Sequence, residues 1–106
     1  MPRVPEPVKR AMTVEILRGD IAALPSADRA GELLPAAEGN CLTLACMSGE
    51  LKSAYHVLRA VMDYGYEHEH PARVRLVCAD EDVYRAYSFQ WNMWFAERKP
   101  EHENEA

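Results

Sequence analysis

Four stretches of the sequence carry side chains capable of chemistry. Ser48-Gly49 stands where an apolar run gives way to an amphipathic one. The free N–H groups of a helix start favour anions, so a serine and a glycine there suit a phosphate. A serine at that point equally caps its own helix, helped by Glu50 near the positive end of the dipole. Glu67-His68-Glu69-His70 gathers metal-capable side chains in a polar loop. Two histidines two residues apart supply at best half a site, and structural zinc wants four convergent ligands, so no metal is expected. Asp80-Glu81-Asp82 offers carboxylates for acid–base work, but three acids at a helix start are accounted for by the macrodipole. Cys41, Cys46 and Cys78 complete the set. An odd number of cysteines, each inside an apolar segment, fits buried thiols in a reducing compartment better than a disulfide framework. His56 falls off the main apolar stripe of its segment and reads as exposed. Spacing alone orients no nucleophile toward a base, so no catalytic residue is assigned and no cofactor is implied.

These residues hang on an alternating pattern. Thr13 to Arg18 is a β-rich run ended by Gly19-Asp20, a turn signal. Ser26 caps a short helix from Ala27 to Leu34, which Pro35 stops. Gly39-Asn40 turns the chain into Cys41–Met47. That run is apolar almost throughout, as suits a central strand covered on both faces. Ser48-Gly49 opens a helix in which Leu51, Ala54, Tyr55, Leu58, Val61 and Met62 recur at three- and four-residue steps, with Gly65 as terminator. Val74 to Ala79 is a third strand, and a last helix runs from the acids at 80–82 to about Arg98. The order β-α-β-α-β-α predicts an α/β domain of two or three layers. Its short, mainly parallel sheet of about three strands is flanked by helices, with right-handed crossovers.

Length and charge bound the partners. The 106 residues suffice for one domain. We divide them into a proline-rich arm over 1–12, the α/β domain over 13–99 and a solvated, disordered acidic tail over 100–106. A net charge of -5 argues against a general nucleic-acid binder. No apolar run approaches the roughly 20 residues of a membrane span, and Met1 to Pro7 has no apolar signal core. A cytoplasmic protein is expected.

The last helix is unusual, with Tyr84, Tyr87, Phe89, Trp91, Trp94 and Phe95 in one segment. At 100° per residue Val83, Ala86, Tyr87 and Trp94 form one stripe that belongs to the core. Tyr84, Trp91 and Phe95 extend it to one side, and Phe89 and Met93 fall on another. Such a helix is buried on more than one side, and its residue types are those that interfaces concentrate. Tyr84, Trp91, Trp94 and Phe95 are therefore candidate contacts of a homodimer or a protein partner.

Two stretches resemble the macro domain, the ADP-ribose-binding α/β family. Val14-Glu15-Ile16-Leu17-Arg18-Gly19-Asp20-Ile21 is similar to its opening strand and Gly-Asp-Ile turn. Leu44 to Tyr87 is similar to its closing half, from the strand into Ser48-Gly49 to Asp80-Glu81-Asp82-Val83-Tyr84. The resemblance covers about half the chain. It implies that Asp20, with Ile21, meets an adenine amine and that Ser48 and Gly49 meet a phosphate. The Asn-Ala-Asn motif and the glycine-rich loop of the family do not occur here, and its catalytic asparagine has no counterpart. The expectation is a non-catalytic macro-like module acting through protein contacts. The alternative is a binder of ADP-ribose or a related nucleotide, and last comes an ADP-ribosyl hydrolase.

Overall fold

A computed structural model of the chain describes residues 12–96. The proline-rich arm, apart from its last residue, and the acidic tail lie outside the described residues. Three parallel strands form the sheet: β1 (Thr13–Arg18), β2 (Cys41–Cys46) and β3 (Arg73–Cys78), in the order β1-β3-β2. The expected α/β class and parallel sheet are present. Cys41–Cys46, however, is an edge strand, and β3 is central. The run at β2 reads as doubly covered because both of its faces carry small or apolar residues. Leu42, Leu44 and Cys46 face the core, while Ala45 is buried beside Pro25-Ser26, whose carbonyl at Pro25 accepts the Ala45 N–H at 2.7 Å.

Strand periodicity fixes the layers. Val74, Leu76 and Cys78 are wholly buried while Arg73 and Arg75 are exposed. In register with them, Val14 and Ile16 of β1 also pack on the core. One sheet face is therefore covered, by α1 (Ala30–Ala36), α2 (Leu51–Glu67) and α3 (Glu81–Gln90), with α2 touching both other helices. The architecture is two layers. On the open face the Glu15 carboxylate accepts from Arg73 at 3.0 Å and from Arg75 at 3.1 Å, so that side is occupied by a charged cross-strand cluster. The chain leaving β1 must cross the sheet to reach Ser26, which pairs with Ala45 on the outer side of β2. Gly19 begins that crossing, where a Cβ would stand 3.3 Å from Val77 Cγ1.

Local chemistry sets the helix ends. Ser26 caps a single 3-10 turn, Ala27–Arg29, and its Oγ accepts the Asp28 N–H at 3.1 Å. Pro35 sits inside α1 and does not stop it. Its fixed φ is helical, and α1 gives up the one i→i−4 hydrogen bond that an N–H at this position would make before it ends at Ala36. Ser48 is not the cap of α2. Glu50 holds that position, and Ser48 Oγ instead accepts the Glu50 N–H at 3.1 Å. Gly65 does not terminate α2 either. It is buried two residues before the end, and a Cβ there would stand 3.3 Å from Met12 Sδ, so glycine admits Met12 against the helix. Leu51, placed on the core stripe by its spacing, is 48% exposed at the first turn, and Val57 is buried in addition.

The last helix changes its winding. After Gln90 the chain makes a π-helical turn, Trp91–Phe95, closed by the Ala96 N–H donating to Trp91 O at 2.8 Å. The wider turn advances less than 100° per residue, so the stripe extrapolated from Val83, Ala86 and Tyr87 misses Trp94. Trp91 and Phe95 pack on the core, and Trp94 is 65% exposed. Asp80 caps the helix, its Oδ1 accepting the Val83 N–H at 3.1 Å. We expect Asp80→Ala to cost about 1 kcal/mol of stability. The check is chemical denaturation of the two proteins side by side, where an unchanged midpoint would refute the capping role.

Candidate functional site

Asp20 follows β1, Ser48 follows β2 and Asp80 follows β3, so all three lie at the carboxyl end of the parallel sheet, where α/β folds take ligands. The strand order keeps them apart. With β3 between the edges, the β1 and β2 ends are about 10 Å from each other. Asp20 Oδ1 accepts the Ala22 N–H at 3.0 Å, and the Ile21 carbonyl accepts the Leu24 N–H at 3.1 Å. Ala23 between them has φ 67. These residues shape the turn that carries the chain across the sheet. Around Gly49 a Cβ would make only ordinary contacts, 3.7 Å from Asp82 atoms, so the fold itself does not demand glycine there.

Ser48 lines a cleft of about 150 Å³ with Ser26, Asp28, Cys46, Met47 and Tyr87. That is below the roughly 300–1,000 Å³ of small-molecule sites. Neither Asp20 nor Gly49 borders it. Cys46 in its wall is the register partner of Cys78 on the adjacent strand, and both are buried free thiols. The neighbouring Cys78 thiol and burial push Cys46 well above the usual cysteine range. Burial likewise pushes the Tyr87 hydroxyl up. Groups held neutral in this way are poor nucleophiles. Cys41 is exposed, so the expectation of buried thiols holds for two of the three.

The histidines are engaged separately. His68 stacks on Tyr64, ring centroids 3.9 Å apart, with Nδ1 3.1 Å from the Tyr64 carbonyl oxygen. His70 Nε2 lies 3.2 Å from the Ala37 carbonyl oxygen. Among the described residues no group of three or more His, Cys, Asp or Glu side chains is placed to hold a metal ion. His56 is exposed.

The aromatic residues form the larger feature. Trp91 and Phe95 are partly buried within the chain, and Tyr84 packs on the core with the Arg18 guanidinium 5.8 Å from its ring centroid. Of the four candidate contacts, Trp94 is the one left mostly in water. Around it stand Tyr55, which periodicity placed on the core stripe of α2, and Tyr66, which it did not single out. Tyr55 meets Phe95 at 5.5 Å and Trp94 at 6.4 Å between ring centroids. With Tyr66 they wall a groove of about 270 Å³ beside α2. The Tyr55 hydroxyl accepts from Arg59 at 3.0 Å, and Asp63 pairs with the same guanidinium at 3.1 Å. Both raise Arg59 above its ordinary value. On the other flank of α3, Leu51, Gly49, Arg85 and Phe89 line a shallow depression of about 380 Å³. The hydrophobic face assigned to Phe89 and Met93 by helical spacing was the available signal. The re-phasing of Trp94 had none, because it follows from the π turn.

No protein-family model, no curated protein and no solved structure matches the chain. The thiol geometry gives a direct check. In native protein at mildly alkaline pH, an aromatic disulfide reagent should titrate Cys41 at once and Cys46 and Cys78 only after unfolding. Fast reaction of a Cys41→Ser variant would show the buried pair to be accessible.

Proposed function

We propose that this chain is a non-catalytic, macro-like α/β module that works through protein contacts, as a homodimer or as a small subunit of a larger assembly. One observation carries the reading. Leu51 and Phe89, 48% and 49% exposed, are grouped at one depression, and Trp94, 65% exposed, stands at the aromatic groove on the other flank of α3, with Met93 47% exposed in the same π turn. Stable monomers seldom leave large apolar side chains grouped in water. Aromatic and methionine side chains are also those that interfaces concentrate. The macro-like description rests on the two sequence segments quoted above. Nucleotide binding draws less support, since Ser48 borders a small cleft that Asp20 and Gly49 do not share. Hydrolysis draws least, with the Cys46 thiol and the Tyr87 hydroxyl at that cleft both pushed up and so held neutral. A cytoplasmic location fits two buried thiols that stand side by side unpaired. No helix among the described residues is long and apolar enough to cross a membrane.

Sedimentation across a concentration series should show the mass rising with concentration, or a fixed oligomer. Phe89→Ala or Trp94→Ala should weaken association by about 2 kcal/mol, roughly 30-fold, with the melting temperature kept. Trp91→Ala should lower the melting temperature instead, because Trp91 packs on the core. A monomer at about 100 μM that also recovers no partner from a lysate would sink the reading.

A further inference from the structure

The two edges of the sheet are finished differently. On the outer side of β2 the chain supplies its own cover: Ser26 pairs with Ala45, and the Pro25 carbonyl accepts the Ala45 N–H at 2.7 Å. Among the described residues nothing pairs with the outer side of β1. The Thr13 N–H donates to the Ala72 carbonyl at 2.8 Å, and the Gly19 N–H to the Cys78 carbonyl at 3.2 Å. In the one-to-one register between them, alternate residues of β1 bond to β3, so Glu15 and Leu17 turn their backbone groups inward as Thr13 does. Val14, Ile16 and Arg18 turn their N–H and C=O groups outward, to the open edge. A row of backbone groups in extended geometry is matched by the backbone of another extended strand.

Proteins blunt such edges with proline, with bulges or with charges that project from them. β1 does none of this. It contains no proline, and its unbroken register with β3 leaves no bulge. Both of its charges are drawn back into the chain. The Glu15 carboxylate accepts from Arg73 and Arg75 of β3, and the Arg18 guanidinium donates to Glu81 of α3 at 2.6 Å.

Side-chain burial points the same way. Ile16 and Leu44 are both register partners of Leu76 and both pack on the core, yet Leu44 is fully buried and Ile16 is half-buried. Val14 is half-buried as well. A strand laid beside β1 would close the core over both. Antiparallel pairing is the more stable kind per residue, and in it the residues that exchange hydrogen bonds stand opposite each other with side chains on one face. Partner residues opposite Val14 and Ile16 therefore lie on the helix side and need to be apolar. The residue between them lies on the open face beside Glu15 and needs to be polar.

We propose that the outer edge of β1 takes up an extended segment of a partner protein as an added antiparallel strand, apolar at two positions two residues apart. This goes beyond the reading of the exposed side chains on α2 and α3 as a contact surface. The edge is a separate surface, so either idea can fail alone.

The probe is the capped peptide Lys-Thr-Val-Thr-Val-Thr-Lys, added at millimolar concentration to the full chain. Amide exchange read by NMR should show Val14, Ile16 and Arg18 exchanging fast in the chain alone and slowly with peptide. Glu15 and Leu17 should stay protected by β3 throughout. The same peptide N-methylated at both valines should not bind. Arg18→Pro removes an outward N–H and spares the ladder to β3, so it should weaken binding about tenfold with the melting temperature kept. Unslowed exchange at the three amides, equal binding of the N-methylated peptide, or unweakened binding to the Arg18→Pro variant would each overturn the proposal. So would slow exchange of the three amides in the dilute chain alone, which would mean that the edge is already filled. Sedimentation of the Phe89→Ala and Trp94→Ala variants reports on the other surface separately.

Discussion

The register of β3 is the constraint on which the rest of the molecule depends. Val74, Leu76 and Cys78 are sealed beneath the helices, and Arg73 and Arg75 alternate with them on the opposite face. A slip of one residue would drive two guanidinium groups into the core and put Leu76 in water. Both neighbours pair with this strand over their full length, so they inherit its phase. Parallel sheets are ordinarily covered on both faces because their crossover helices fall on both. Here the Glu15 carboxylate between Arg73 and Arg75 gives the second face a polar surface. The helices consequently compete for a single face three strands wide.

That competition explains where the aromatic residues end up. With α2 between its neighbours, α3 is a flanking helix, packed against α2 and reaching β1 and β3. A helix in that position has one side against the sheet, one against α2, and one with nothing of the described chain beside it. Val83, Ala86 and Tyr87 fill the first side. Phe89 and Met93 stay about half exposed, Phe89 beside Gly49 and Leu51 where α3 meets the start of α2. The π turn then rotates Trp91 and Phe95 inward and Trp94 outward, producing a second apolar strip next to Tyr55. An extra residue in one turn thus converts what would be a core tryptophan into a surface one.

The part from Leu44 to Tyr87 was the most legible in the sequence. Its strand, helix, strand and capped helix each have the right period, and the acids at 80–82 do sit at a helix start, where Asp80 is the cap. The β1 run was legible for the same reason. What sequence periodicity could not reach depended on tertiary contact. Gly65 looks like a helix stop until Met12 is seen lying on it. Pro35 looks like a break, yet its helical φ lets α1 run one residue past it with the loss of one backbone hydrogen bond. Cys41–Cys46 looks central because an apolar run does not say whether its second face meets helices or a passing loop such as Pro25-Ser26. The candidate residues themselves were found, but their grouping was not, since only the strand order sets Asp20 and Ser48 on opposite edges.

Five of the polar side chains flagged for chemistry have a hydrogen-bond partner within the chain. Asp20 holds Ala22, Ser48 holds Glu50, Asp80 holds Val83, and His68 and His70 meet backbone carbonyls. A catalytic or ligand site works the other way, presenting donors and acceptors that stay unsatisfied until a substrate arrives. Among the described residues the buried side-chain atom without a partner is Gln90 Oε1, whose amide nitrogen donates to Leu51 O at 2.9 Å and ties α3 to α2. It lies on the same seam as Leu51 and Phe89. Apart from Gln90, the large side chains that stand incomplete among the described residues are apolar, and what completes an apolar side chain is removal from water by another surface.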